Sequence, residues 1–175
     1  MLVKTPIMKI LVLLLLAVGL LTSLVTAQPV QLALDKDPVF QQVLDRWLHY
    51  PSSFEYFPIY GRVYAGFRIS EKGRIENIVI LSPGNTRSGF EYQVLEALRH
   101  MPSLKPDYAG DYALPVAFCY RDKTVSSEFF DPVNKLDEDR LRNRLLLVER
   151  KCRFDWSTRK SYNYPQEVWG YYPPK

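Results

Sequence analysis

The side chains best suited to chemistry in this sequence are two histidines, His49 and His100, and two cysteines, Cys119 and Cys152. A metal centre would want such ligands at short, paired spacing, and these four are scattered along the chain. A thiolate nucleophile would want a base close by, and nothing near either cysteine singles one out. Each histidine stands two positions before a proline, Pro51 or Pro102, where a helix is expected to end; an imidazole suits that place without any chemistry. No glycine-rich phosphate cradle appears, and no pair of carboxylates is marked out for acid–base work. The expectation is a non-enzymatic protein with no metal and no cofactor.

The cysteines leave two readings open. A Cys119–Cys152 disulfide would close a loop of about 33 residues and stabilise by about 4 kcal/mol in the chain-entropy model. The alternative is two unpaired, buried thiols acting as small hydrophobes.

The start of the chain bears on which applies. Lys4 and Lys9 precede an apolar run, Ile10 to Leu21, and Val25-Thr26-Ala27 offers a small-residue cleavage site. Residues 1–27 are therefore expected to be a signal peptide with Gln28 as the mature start, or alternatively an uncleaved anchor. Either way the rest would leave the cytoplasm for an oxidising compartment, in which disulfides persist. Loss of Lys4 and Lys9 would lower the formal charge from +4 to +2. That excess is too small to point to nucleic acid or a membrane surface.

The elements that would position these residues can be read in order. Asp37 caps a helix with Pro38 in its first turn, and Val39, Phe40, Val43, Leu44, Trp47 and Leu48 recur on one face of this 28–49 segment. Arg62 to Ser70 alternates as a strand, burying Val63, Ala65, Phe67 and Ile69 and wetting the other face. Gly73 closes a hairpin turn. The second strand, Arg74 to Leu81, needs a bulge near Asn77 or burial on both faces. Ser88 and Glu91 form a capping-box signature for a helix whose face carries Phe90, Val94, Ala97, Leu98 and Met101. A last strand, Tyr112 to Tyr120, holds Pro115. Proline donates no hydrogen bond, so this strand is expected at the rim of the sheet with an open flank.

That order, with Gly61-Arg62-Val63, Lys72-Gly73-Arg74-Ile75, Leu98-Arg99-His100-Met101-Pro102, Lys105-Pro106 and Leu114-Pro115-Val116-Ala117-Phe118, resembles the C-terminal domain of TonB, the periplasmic energy transducer. The resemblance covers residues 50–121, under half the chain. It implies an α+β fold, a small antiparallel sheet of about three strands packed against two helices. It also implies a periplasmic binding module accessory to TonB-dependent transport across the outer membrane, with inner-membrane anchoring if the first segment stays. The expected partner is the extended peptide of an outer-membrane transporter or another envelope protein, recruited by β-strand addition. The pairing surface would be Leu114, Pro115, Val116, Ala117, Phe118, Cys119 and Tyr120, with Arg99 as a further polar contact. A homodimer is a further partner arrangement on this reading. Residues 28–49 span at most about 80 Å when extended, short for a transducer's linking arm. The competing expectation is a stand-alone structural or assembly domain whose sheet edge is self-covered, with no transport role.

Residues 122–175 follow the family-like region. Leu136, Leu141, Leu145, Val148 and Cys152 fall at helical intervals, with Asp137, Glu138 and Asp139 before and Arg150, Lys151 and Arg153 after. An extra C-terminal helix is expected here, with an irregular, aromatic-rich tail that either packs on the domain or binds a partner. Its 11 basic and 9 acidic residues read as a solvated, ion-paired face.

Overall fold

The computed structural model describes residues 33–52, 59–83, 89–156 and 166–168. Helix α1 (Pro38–Trp47) starts as the sequence predicts. The Asp37 carboxylate accepts from the N–H groups of Val39 and Phe40 at 2.9 and 3.1 Å, satisfying two donors that a helix start leaves free. Phe40, Leu44 and Leu48 are buried, so the apolar stripe faces the core. Strand β1 (Ile59–Ile69) turns through Gly73 into β2 (Ile75–Ile80). Gly73 is at φ 75°, and a Cβ there would meet the Leu104 carbonyl oxygen at 2.0 Å, so only glycine fits.

Of the two alternatives the sequence leaves for β2, the bulge near Asn77 is the one present. Arg68 pairs with Glu76 and Gly66 with Val79, so two residues of β2, Asn77 and Ile78, oppose Phe67 alone, and Asn77 takes φ 53°. Helix α2 (Phe90–Arg99) buries Phe90, Val94, Ala97 and Leu98 as anticipated. Its cap is Gly89 in a left-handed conformation, with no side-chain hydrogen bond; Ser88 lies outside the described residues. After a short 3-10 turn, β3 (Gly110–Asp122) pairs antiparallel with β1.

The extension departs from the sequence reading. The predicted helix is one turn long, α3 (Glu138–Leu141), and Asn143 at φ 62° stops it. The chain then gives β4 (Leu145–Leu146) and β5 (Arg150–Trp156), both parallel to β3, and later β6 (Gln166–Val168), parallel to β1. The small antiparallel sheet of about three strands is thus corrected to a mixed, six-stranded sheet within an α+β fold. Local periodicity lost to pairing: a helix here would leave the main-chain groups on the far flank of β3 without partners, and β4 and β5 supply them.

One face of the sheet packs on α1 and α2. Phe90 lies flat on Phe118 with ring centroids 4.3 Å apart, and Phe67 stacks on Tyr112 at 5.6 Å. The other face was expected to be wet, and of its β1 residues only Arg68 is exposed. The extension crosses here. Arg62 donates to the carbonyls of Pro132 (2.9 Å) and Asn134 and pairs with Glu149. Beneath it Tyr64, Ala113, Ala117 and Cys119 are buried. Among the described residues no helix is long and apolar enough to cross a membrane.

Candidate functional site

The candidate surface is the flank of β3 away from β1. Tyr64, the register partner of Pro115, directs its main-chain groups toward β2: its N–H donates to Ser82 Oγ at 2.7 Å and its carbonyl accepts from Leu81 at 2.8 Å. Pro115 therefore faces β1 across a pair that needs no hydrogen bond. Its missing donor points to the far flank, as do the main-chain groups of Ala113, Ala117, Cys119 and Arg121.

That flank is filled, which corrects the expectation of an open rim. Leu147 N–H donates to the Ala113 carbonyl at 2.9 Å, β4 pairs with Tyr112 and Ala113, and β5 pairs with Val116 through Asp122. Leu146 stands opposite Ala113 and Arg150 opposite Val116, so residues 147–149 face only Leu114 and Pro115. The neighbouring strand carries one extra residue beside the proline. An interior proline is tolerated because its partner bulges there. Val148, 59 % exposed, turns outward, and its N–H donates to the Asp35 carboxylate at 3.1 and 3.2 Å.

The predicted pairing residues Leu114, Val116, Ala117, Phe118, Cys119 and Tyr120 are 0–1 % exposed, and Pro115 is buried with them. Arg99 is not part of this group. It sits at the end of α2, 57 % exposed, and pairs with Glu96 of the same helix at 3.0 Å.

The proposed disulfide is absent, and the register explains why. Phe118 pairs with Cys152, so these two side chains share a face, while Cys119 points to the opposite one. A bridge would have to pass through the sheet. Each buried thiol has an acceptor instead: Cys152 donates to the Leu48 carbonyl (3.6 Å) and Cys119 to the Ala117 carbonyl (3.8 Å). Burial pushes Cys152 up to about 12, with Asp45 adding to the rise and Arg150 opposing it. Burial and the Asp131 carboxylate drive Cys119 up as well. Both are protonated at neutral pH and poor nucleophiles. His100 stacks on Trp47 at 3.7 Å. Among the described residues no three His, Cys, Asp or Glu groups are placed to hold a metal ion.

Four side-chain clasps hold the filling strand. Arg121 forks onto Asp155, whose carboxyl the guanidinium holds below the usual carboxylate range, Lys123 assisting. Lys151 pairs with Asp131, and Arg150 with Asp45 at 3.1 Å. At Asp131 burial works against ionisation, but the Cys119 thiol and Lys151 outweigh it and lower the carboxyl. Phe129 lies under both Arg121 (4.2 Å) and Arg153 (5.3 Å). The sequence carried one signal for this strand: Arg150, Cys152, Phe154 and Trp156 alternate with Lys151, Arg153 and Asp155 at period two.

No family model, curated protein or solved structure matches this chain.

Proposed function

We propose that this chain is an exported, TonB-like assembly domain of the cell envelope whose strand-accepting flank is filled by its own C-terminal extension. The observation that carries this reading is the pairing of β5 with β3 from Val116 to Asp122. A strand-addition guest takes an edge by main-chain bonds and is chosen by alternate side chains. Here the extension does both, seating Cys152 and Phe154 on the helix side while Lys151 and Asp155 are clasped on the other. Phe154 stacks on Tyr50 at 4.9 Å.

A second reading, recruitment of an outer-membrane transporter's peptide at Leu114 to Tyr120, requires β5 to leave. It is favoured by the break at Pro115, where the hold of the extension on β3 is interrupted. Removal of residues 125–175, followed by titration with a peptide of residues 143–156, tests both. Binding by the truncated chain and none by the full chain supports a filled acceptor. Failure of the folded, truncated chain to bind removes the basis for strand addition at β3.

A further inference from the structure

Filling β3 creates a new sheet margin, and it is not blunted along its whole length. In the parallel β3–β5 ladder the main-chain groups of Ala117, Cys119 and Arg121 engage those of Arg150, Cys152, Phe154 and Trp156. The N–H and C=O groups of Lys151, Arg153 and Asp155 therefore point away from the sheet. Among the described residues no strand pairs with that side of β5. The upstream end is closed by Asp35 on Val148, which fixes where an incoming strand would have to stop.

A groove of about 560 Å³ runs along this margin. Its far wall is the end of α1 and the residues after it, with Asp45, Leu48, His49 and Tyr50 facing β5. A strand edge beside a helix end, with a trough between them, is the arrangement in which an extended peptide can add to a sheet. The two sides of such a peptide would meet different surroundings. Toward the helices lie the half-buried Phe154 and the exposed Asp45 and His49; toward the other face lie Lys151, Arg153 and Asp155.

Charge selects among peptides. Lys151 is taken by Asp131, Asp155 by Arg121 and Lys123, and Arg150 by Asp45. Arg153 is exposed and forms no ion pair among the described residues; it lies over Phe129 and adds only a longer-range pull on Asp131. It is also the middle one of the three outward residues. A residue paired with Arg153 across an antiparallel ladder places its side chain directly beside the guanidinium, where opposite charge is favourable and like charge is not.

We infer that the outer edge of β5 is a docking site for an extended protein segment carrying a carboxylate side chain opposite Arg153 and an apolar side chain toward the half-buried Phe154. The site is separate from the β3 flank and exists while β5 fills that flank.

The test uses the full chain and two labelled seven-residue peptides, read by fluorescence anisotropy. One alternates valine and threonine about a central glutamate; the other has lysine at the centre. The glutamate peptide is expected to bind at least tenfold more tightly. Arg153→Glu, a surface charge change, is expected to reverse that preference. Arg153→Pro removes an outward donor without touching the β3 ladder and is expected to abolish binding of both. Equal binding of the two peptides, or a preference unmoved by Arg153→Glu, overturns the inference. So does a peptide-insensitive dimer that Arg153→Pro dissociates, since the edge would then belong to a second copy.

Discussion

The Val148 N–H, which stands beside Pro115 across the sheet, donates to the Asp35 carboxylate rather than to β3. The bulge that accommodates the proline turns one amide out of the ladder, and the Asp35 carboxylate satisfies it. The consequence is a filled flank where the sequence predicts an edge, with Asp35 and Leu147 holding the extension beside the break at Pro115.

Leu147 is 3 % exposed while Leu146 is 41 % exposed. Leu147→Ala should cost about 2–4 kcal/mol by leaving a cavity against the core, and Leu146→Ala less than about 0.5 kcal/mol. Urea denaturation of both variants measures this. Equal costs would mean that β4 is not seated as described.

The Asp35 carboxyl is raised from 3.8 by burial, against the opposing pull of the Val148 N–H and Arg150. Its folded state holds the proton more tightly than the unfolded chain, so this group's contribution to stability falls as pH rises from about 3.8 through the folded value and stays low above it. Asp35→Asn keeps an acceptor for Val148 and removes that fall. The variant should therefore gain on the parent between pH 3.5 and pH 7, as read by denaturation at both values.

Asp131 runs the other way. Its lowered carboxyl contributes stability that is present above 3.8 and lost as pH falls through the folded value. Asp131→Asn should lose most relative to the parent near neutral pH, and the difference should shrink on acidification. A gap that is constant with pH would show that Lys151 and the Cys119 thiol do not hold this carboxylate.

Cys119 and Cys152 lie on opposite faces of the sheet, each with an acceptor, so the oxidised and reduced proteins should be the same molecule. Dithiothreitol should leave Tm unchanged. A thiol reagent should titrate both cysteines in guanidinium and react slowly in native buffer. A drop in Tm on reduction would contradict the register of β3 and β5.

Features set by near neighbours were legible in the sequence. Asp37 and Pro38 mark the start of α1, Gly73 the hairpin, and the buried face of α2 follows from its apolar spacing; the bulge at Asn77 is one of two alternatives the pattern of β2 allows. Pro115 was read correctly as a position lacking a donor and wrongly as a rim, because the compensating bulge lies more than thirty residues away. Segment 136–156 carries two periodicities at once. Leu136, Leu141 and Leu145 suit a helix, while residues 150–156 alternate, and only the vacancy beside β3 decides between them. The burial of Tyr64 and Ala117 on the second face was likewise hidden, since nothing local announces that Arg62 will pin Pro132 and Asn134 across it.

Residue-resolved hydrogen exchange of the full chain tests the filled flank most directly. The amides of Ala117, Cys119 and Arg121, which face β5, should exchange as slowly as those of Leu114 and Val116, which face β1. The amides of Lys151, Arg153 and Asp155 should exchange fast. Rapid exchange at Ala117, Cys119 and Arg121, with Leu114 and Val116 protected, would leave β3 with a bare margin and contradict the account.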